Sequence, residues 1–345
     1  NSQGAPCLSW QAVTLQLRAT FRLSYGAPQK RTAHWMRLRD DAGWGEGTIP
    51  PYYPVREEDL QTYWNRAALR TDPFPERFTD IAAWIDPDGP APARAALDIA
   101  LHDYVSRKLG LPLHAALGLP EPGRKASSFT ISVDTPENMA AEARRLRKLP
   151  IIKLKLAGDE EDIPRLQAVR AARPDARLFA DANAGWSLSQ ALEYLPYLEK
   201  AELEMLEQPL GVAEIEGLGE VQANTSIAIV ADESLHKPED LRYLAEAGVR
   251  GVNIKLMKVG GVGPALELME EARKAGMKIM LGCMIETSIG LSAAAHLAGL
   301  ADWLDLDASL LVANDPFEGM TFGEDAVIGL PEGPGIGAHL RKPQS

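Results

Sequence analysis

The segment Ile151-Ile152-Lys153-Leu154-Lys155-Leu156 carries the strongest indication of the fold. Its charged and apolar residues alternate with the period of a β-strand, which places Lys153 and Lys155 on one face and the leucines on the other. Such a charged row can protect the exposed edge strand of a sheet. A sheet closed into a barrel has no edge, and there both lysines must face a polar site, because burying an unpaired charge costs several kcal/mol.

Short β-rich runs recur from residue 127 onward and alternate with amphipathic stretches of helical period. The eight runs lie at 129–133, 151–156, 178–180, 203–206, 227–231, 252–254, 278–281 and 303–306. The seven helices predicted between them lie at 136–147, 161–172, 187–198, 213–221, 238–247, 264–275 and 288–298. This alternation predicts an α/β fold with a parallel sheet, and eight strands in about 190 residues favour a closed (β/α)7β barrel over an open doubly wound sheet.

The first 120 residues lack this rhythm and predict a separate α+β unit. Strands are expected at 11–19 and 32–39, and helices at 56–70, 78–84 and 92–108. After Pro316 the chain is rich in glycine and proline and is expected to pack back over the rest. We therefore divide the chain into an α+β domain at 1–120, completed by the tail at 317–345, and a barrel domain at 121–316.

Composition and charge exclude several classes of protein. The 345 residues are 46% hydrophobic, enough for a large core, and the formal net charge of −12 argues against binding to nucleic acid. The sequence shows neither an apolar run of the roughly 20 residues that span a membrane nor an N-terminal signal core. Its two cysteines, Cys7 and Cys283, suit a reducing compartment. We therefore predict a soluble cytoplasmic protein without nucleic-acid or membrane partners; a homo-oligomer is compatible with the sequence.

Ionisable residues end one predicted strand after another, at spacings of 23 to 26 residues from Lys155 to Lys255. In a βα barrel these strand ends meet at the functional face. Asp181, Glu207 and Asp232 end three consecutive strands, and three converging carboxylates need a cation. Oxygen ligands without histidine or cysteine favour Mg²⁺, or Mn²⁺, over zinc. Either aspartate alone could instead cap the following helix, so the metal prediction depends on all three.

Lys155 and Lys255 end strands that lie four apart in the predicted barrel, on roughly opposite sides. Two lysines facing each other across a metal site suggest a proton donor and a proton acceptor on the two faces of one carbon. Burial and nearby cations are expected to lower the pKa of such a lysine towards neutrality, as a general base requires. Lys258, three residues further on, is predicted to be a loop charge; an exchange of roles between Lys255 and Lys258 is the alternative.

Asp305 and Asp307 share a face of the last predicted strand, away from the three carboxylates. No further ligand set accompanies them, so we predict that the pair binds a cationic group such as a substrate ammonium. A salt bridge to one of the lysines is the alternative. The segment Gly260-Gly261-Val262-Gly263 lacks the spacing of a phosphate-binding motif and is predicted to be a flexible βα loop.

Together these residues resemble the enolase superfamily, in its muconate-lactonizing subgroup, over nearly the whole chain. The resemblance is carried by Lys153-Leu154-Lys155, Asp181-Ala182-Asn183, Leu206-Glu207-Gln208-Pro209, Ala231-Asp232-Glu233-Ser234 and Asn253-Ile254-Lys255-Leu256. Within the subgroup, Asp305-Leu306-Asp307 is similar to the signature of dipeptide epimerases, among them the L-Ala-D/L-Glu epimerases. The segments around Thr130 and Glu286 are similar as well.

The resemblance implies a capping α+β domain and a Mg²⁺-dependent, reversible 1,1-proton transfer at the α-carbon of the C-terminal residue of a dipeptide. Lys155 and Lys255 would exchange the proton on opposite faces, and Lys153 would stabilise the charge of the enolate. The implied metal ligands are Asp181, Glu207 and Asp232, and the implied substrate-binding residues are Asp305, Asp307, Thr130, Tyr25, Arg22 and Glu286.

The second residue of the dipeptide is left open. In relatives that act on L-Ala-L-Glu, an arginine in a loop of the capping domain meets the acidic side chain, and Tyr25 stands near that position here. Arg22, Lys30 or Arg31 could replace that arginine; a hydrophobic or other non-acidic second residue is the other expectation.

Other functions remain as alternatives. A cycloisomerase or lyase of the same subgroup, of the o-succinylbenzoate synthase or muconate cycloisomerase type, would act on substrates without an ammonium, so Asp305 and Asp307 argue against it. A catalytically silent, metal-stabilised binding protein is a second alternative. A Schiff-base aldolase that uses Lys155 or Lys255 is a third.

Overall fold

The computed structural model describes residues 7–18 and 30–342. It begins with an antiparallel sheet of three strands in the order β1-β2-β3. These strands are β1 (Leu8–Gln16), β2 (Lys30–Leu38) and β3 (Trp44–Thr48). The sequence predicts the first two with small shifts and misses β3, because its two glycines weaken the strand pattern.

Helices follow the sheet, and the longest of them packs on it. They are α1 (Glu57–Ala68), a 3₁₀ helix (Phe78–Trp84), α2 (Ala91–Leu109) and the short α3 (Leu113–Ala116). A Cβ atom on Gly45 of β3 would come within 1.9 Å of the carbonyl oxygen of Ala96 in α2. Glycine therefore lets the strand lie directly against the helix backbone.

Residues 129–311 form the predicted barrel, and the fold class is confirmed. Strands β4 to β11 form one parallel eight-stranded sheet in chain order, and Ser128 N donates to Leu304 O at 2.8 Å between the two ends of the sheet. The strands are β4 (Phe129–Ile131), β5 (Ile151–Lys155), β6 (Arg177–Asp181), β7 (Leu203–Glu207), β8 (Ala228–Ala231), β9 (Gly251–Ile254), β10 (Lys278–Gly282) and β11 (Trp303–Asp305). The helices are α4 (Pro136–Arg145), α5 (Asp162–Ala172), α6 (Leu188–Lys200), α7 (Ile215–Ala223), α8 (Pro238–Glu246), α9 (Leu256–Val259), α10 (Val262–Lys274), α11 (Ser288–Ala295) and α12 (Ala308–Leu311).

Alternate residues of the barrel strands belong to different parts of the core. Ile151 packs inside the barrel in one cluster with Phe179 and Trp303. Ile152 and Leu154 belong to the outer core that includes the surrounding helices. Because side chains alternate along a strand, Lys153 and Lys155 follow Ile151 into the barrel interior, as the sequence predicts.

The C-terminal tail packs back over the molecule. Its strands β12 (Phe317–Glu318), β13 (Thr321–Phe322), β14 (Ile328–Gly329) and β15 (His339–Leu340) form two small antiparallel pairs. Ile336 N donates to Asp103 Oδ1 of α2 at 2.8 Å. The tail thus contacts the first helical region, while the division at residues 120 and 316 stays a prediction. Within the described ranges, no helix is long and apolar enough to cross a membrane.

Two buried histidines join α3, α11 and the tail. His114 and His296 stack, with their Nδ1 atoms 3.0 Å apart, and His296 Nε2 lies 3.3 Å from Ile336 O. A carbonyl oxygen only accepts, so His296 carries its proton on Nε2 and accepts from His114 at Nδ1. Burial, followed by the electrostatic effect of the neighbouring His114, lowers the pKa of His296 to about 4.

We expect His296→Gln to remove part of the pH dependence of stability. Because the pKa of His296 falls from 6.5 to about 4 on folding, the unfolded chain takes up this proton first as the pH drops. The free energy of unfolding of the wild type should therefore fall by about 3 kcal/mol as the pH drops from 6.5 to about 4. Above pH 6.5 the stabilising contribution of His296 is fully present. Urea unfolding at a series of pH values measures the slope. The exposed His339→Gln is the control, and an unaltered slope in His296→Gln would contradict the assignment.

Candidate active site

Charged side chains from six barrel strands meet inside the barrel, at the carboxyl ends of the strands. Each is at least nine-tenths buried, and most of them end a strand or directly follow one. They are Lys153, Lys155, Asp181, Glu207, Asp232, Lys255, Asp305 and Asp307. The structure thus brings together the lysines and carboxylates that the strand-end pattern predicts.

Lys153 lies among three carboxylates. Its Nζ is 2.6 Å from Glu207 Oε2, 2.7 Å from Asp305 Oδ2 and 3.2 Å from Asp181 Oδ2. Burial alone would lower the pKa of Lys153, but these carboxylates outweigh it and raise the pKa well above its usual value. Lys153 is therefore a fixed positive charge at the centre of the site.

Lys155 and Lys255 lie on opposite sides of the barrel, since β5 and β9 are four strands apart in the closed sheet. Lys155 Nζ contacts Asp181 Oδ2 at 2.5 Å, and Lys255 Nζ contacts Asp232 Oδ2 at 2.6 Å. The expected lowering of the lysine pKa is not seen for Lys255. Burial acts in that direction, but the nearby carboxylates, with Asp232 first, raise the pKa of Lys255 well above its usual value.

The expectation that Lys258 is a loop charge is wrong. Its side chain is 1% exposed, and Nζ contacts Asp232 Oδ1 at 2.6 Å and Asn253 O at 2.9 Å. The short helix α9, which the sequence does not reveal, turns this residue towards the barrel. Burial and the neighbouring Lys255 lower the pKa of Lys258.

Asp181, Glu207 and Asp232 stand at the ends of neighbouring strands but bind ammonium groups here. Across residues 7–18 and 30–342, no three His, Cys, Asp or Glu side chains are grouped so that they could hold a metal ion. Burial and the charge of Asp181 raise the pKa of Glu207 to about 8. Its buried Oε2 contacts the ammonium of Lys153, and the buried Glu233 Oε2 accepts no hydrogen bond from a described residue. These oxygens fit a hard cation chemically, once the ammonium groups withdraw from them.

Two amide side chains, whose roles the sequence analysis does not assign, orient these carboxylates. Gln208 Oε1 accepts from the backbone N–H of Asp232 at 2.9 Å and from that of Ser234 at 3.2 Å. Asn253 Nδ2 donates to Glu207 Oε1 at 2.7 Å. Both amides occur within the quoted motifs, directly after Glu207 and two residues before Lys255, which is the signal that points to them.

The two aspartates of the last strand have different environments. Asp305 accepts from Ser128 Oγ at 2.7 Å and pairs with Lys153, so the salt-bridge alternative describes this residue. Asp307 Oδ2 accepts from the backbone N–H of Thr130 at 2.8 Å and forms no ion pair with a described residue. Burial and the charge of Asp305 raise the pKa of Asp307 to about 7. A carboxylate without a counter-charge among the described residues is a suitable partner for a cation, and a bound cation would lower this raised pKa.

The remaining predicted substrate-binding residues differ in whether they line the cleft. Thr130 lines the cleft, whereas Glu286 is 2% exposed and accepts from the backbone N–H of Met284 at 2.8 Å. Glu286 thus shapes the cleft through its loop and does not line it. Arg22 and Tyr25 lie outside the described residues.

A cleft opens above the charged cluster. Its floor includes Lys155 and Lys255, with Asp307 nearby, and the first domain covers it with residues that include Ile49 and Tyr52. Its mixture of charged and apolar lining residues suits a small molecule with charged ends. Arg31, which the sequence names as an alternative contact for an acidic side chain, also lines the cleft.

A parallel barrel with charged strand ends beneath an α+β domain defines an enolase-type barrel protein, whose chemistry takes place at the carboxyl ends of the strands. Residues 138–344 match the model of the enolase C-terminal domain-like family. The chain belongs to this family, and the resemblance stated from the motifs is confirmed.

Relatives and solved structures agree with this assignment. An L-Ala-D/L-Glu epimerase of Bacteroides thetaiotaomicron is 35% identical over 299 residues, covering 86% of this chain and 77% of the relative. A hydrophobic dipeptide epimerase of Enterococcus faecalis is 32% identical over 347 residues, covering 95% of this chain and 97% of the relative. The crystal structure of a dipeptide epimerase from Enterococcus faecalis, complexed with Mg and L-Leu-L-Tyr, has a TM-score of 0.89 at 30% identity and covers 97% of this chain and 99% of that one.

Proposed function

We propose that this protein is a dipeptide epimerase, an isomerase that inverts the α-carbon of the C-terminal residue of a dipeptide. The observation that carries the proposal is the pair Lys155 and Lys255 on opposite sides of one cleft, with Asp307 beside them. Two bases on opposite faces of a carbon suit inversion by proton transfer, and a buried carboxylate suits an ammonium. Epimerase activity of the relatives supports the proposal.

The metal belongs to the same proposal. Asp181, Glu207 and Asp232 would hold Mg²⁺, or Mn²⁺ in its place, and the bound ion would supply positive charge that stabilises the substrate carboxylate as the α-carbon loses its proton. The oxygen-only donor set supports this assignment, as does the buried Glu233 Oε2 near Asp181 and Asp232, which accepts no hydrogen bond from a described residue. A bound ion would take over carboxylate contacts that ammonium groups make here, those of Lys153, Lys155, Lys255 and Lys258.

The proton transfer follows from the positions of the lysines. In one direction, the neutral amine of one lysine takes the α-proton, and the electron pair of the C–H bond moves into the carboxylate to give an enolate. The ammonium of the other lysine then donates a proton to the opposite face of the carbon. Lys153, held charged by its carboxylate neighbours, stabilises the added negative charge. The reverse reaction exchanges the roles of Lys155 and Lys255.

The second side chain of the dipeptide would lie in the part of the cleft lined by the first domain. Ile49, Pro51 and Tyr52 offer apolar surface there, and Arg31 offers a positive charge. The substrate range therefore includes hydrophobic and acidic residues as candidates. The acidic composition and the two free cysteines support a cytoplasmic enzyme with no nucleic-acid or membrane partner.

A library of L,L-dipeptides incubated with Mg²⁺ in D₂O tests the function. We expect one α-deuterium in the C-terminal residue of the preferred dipeptides, seen as a gain of one mass unit, together with appearance of the second epimer. Dipeptides with a hydrophobic and with an acidic second residue should differ in the rate of α-deuterium exchange. This difference identifies the second residue that the enzyme prefers. No exchange with any member would contradict the proposal.

Asp307→Asn is the matched test of ammonium binding. We expect it to raise KM for dipeptides by about 10- to 100-fold, since a charge-assisted contact contributes about 1.5–3 kcal/mol. An N-acetylated dipeptide, which has no ammonium, should be equally poor with both proteins. A cycloisomerase or lyase of the same subgroup would instead turn over a substrate without an ammonium, and Asp307→Asn would leave that activity intact.

A further inference from the structure

A buried aspartate of the first domain caps a barrel helix. Asp98 of α2 is 3% exposed, and its Oδ1 accepts from the backbone N–H of Val262 at 2.5 Å and from that of Gly263 at 3.2 Å. These N–H groups belong to the first turn of α10, which needs acceptors at this end. Asp98 therefore supplies the N-terminal cap of a helix in the other part of the molecule.

The glycine segment quoted in the sequence analysis is built for this contact. Gly261 has φ 118°, and a Cβ atom on it would lie 2.3 Å from Asp98 Oδ1. Gly260 has φ 109° and lies against Arg94, one helical turn before Asp98. The segment therefore binds a carboxylate of its own chain with backbone N–H groups, and it is not the flexible loop that the sequence suggests.

This capped segment follows directly from Lys255. Lys258 N and Val259 N both donate to Lys255 O, at 3.0 and 3.2 Å, and Gly261 N donates to Leu256 O at 2.9 Å. A continuous set of backbone hydrogen bonds thus links the backbone of Lys255 to the glycines that Asp98 holds. Displacement of the capped turn would displace the Lys255 backbone with it.

Lys155 has an equivalent support on the opposite side of the barrel. Asp162, fully buried at the start of α5, accepts from Ala157 N at 2.8 Å through Oδ1 and from Gly158 N at 2.9 Å through Oδ2. Trp186 Nε1 also donates to Oδ2, at 2.8 Å. Ala157 is two residues after Lys155, so this aspartate fixes the chain as it leaves the strand.

We propose that Asp98 and Asp162 are positioning residues, each of which holds the loop that follows one catalytic lysine and orients that lysine alone. The inference rests on the proposed function. A shift of about 1 Å in a reacting group can slow a reaction on the order of 100-fold. Loss of either aspartate should therefore slow proton transfer on one face of the substrate and leave the other face nearly unchanged. A purely structural role would affect both faces alike.

Exchange of the α-proton for deuterium, measured separately from each pure epimer of one dipeptide, tests this. Asp98→Ala is expected to slow exchange from the epimer that Lys255→Ala affects, by about 10- to 100-fold, and to spare the other epimer. Asp162→Asn, which keeps the shape but removes one acceptor oxygen, should slow exchange from the epimer that Lys155→Ala affects. Asp98→Asn retains Oδ1 for both backbone N–H groups and should behave nearly as wild type, which makes it the matched control.

A second variant covers the case in which Asp98→Ala does not fold. Asp98→Glu keeps the charge in α2 but moves the carboxylate by one methylene group, and it should show the same one-sided loss. Equal slowing of both epimers in folded Asp98→Ala, Asp98→Glu and Asp162→Asn, or no slowing in any of these three, would overturn the positioning roles. Absence of exchange in the wild-type protein would instead overturn the proposed function, so the two failures are distinguishable.

Discussion

Lys255→Ala is expected to lower α-proton exchange from one epimer of the substrate by about 10³-fold and to keep exchange from the other epimer within a few-fold of wild type. Lys155→Ala should give the mirror-image result. The reason is geometric: the lysines belong to β5 and to the residue after β9, on opposite sides of the barrel, so each reaches one face of the α-carbon. Conversion of one epimer to the other should be lost in both variants. Proton NMR of each pure epimer in D₂O follows both events.

The control for these variants is Lys148→Ala, which removes an exposed lysine paired with Glu324 on the surface. It should exchange both epimers at the wild-type rate. Asp232 keeps Lys258 as a partner when Lys255 is removed, so the fold should survive the substitution. Wild-type exchange from both epimers in either active-site variant would remove that lysine from the mechanism.

Glu207→Gln is expected to abolish metal binding and to lower epimerisation on the order of 10³-fold, since a metal contributes several kcal/mol to charge stabilisation. Glutamine has nearly the same shape and keeps an oxygen for the contact with Asn253. It removes the negative charge and places an amide donor near the ammonium of Lys153. Titration with Mn²⁺, followed by electron paramagnetic resonance, measures binding without reference to activity.

Glu204→Gln is the matched control, because Glu204 lies on the same strand and pairs with Arg177 away from the site. It should bind Mn²⁺ as wild type does. Removal of the metal from wild type by EDTA should stop exchange, and added Mg²⁺ should restore it. If Glu207→Gln bound Mn²⁺ with unchanged affinity, Glu207 would not be a ligand.

The barrel and the strand-end charges could be predicted because their signals are local. Alternation along residues 151–156 follows from the geometry of a single strand, and the regular spacing of Asp181, Glu207 and Asp232 follows from the length of one βα unit. Strand β3 was not predicted because its glycines are required by a close contact with α2, and a contact between distant residues leaves no local sequence pattern. The short helix α9 was not predicted because four residues are too few to show a helical period.

The sequence by itself therefore determined the α/β barrel, the face on which its charges lie and the residue types available for chemistry. Only the tertiary structure decided how those charges pair: Asp305 with Lys153, Lys258 turned inward to Asp232, and Asp307 left without a counter-charge among the described residues. It also decided that Asp98, 164 residues before Val262, caps the segment after Lys255. Secondary structure, and the face of a strand on which a side chain lies, depend on neighbours in sequence. The pKa values and hydrogen bonds depend on distances in space that only the folded chain sets.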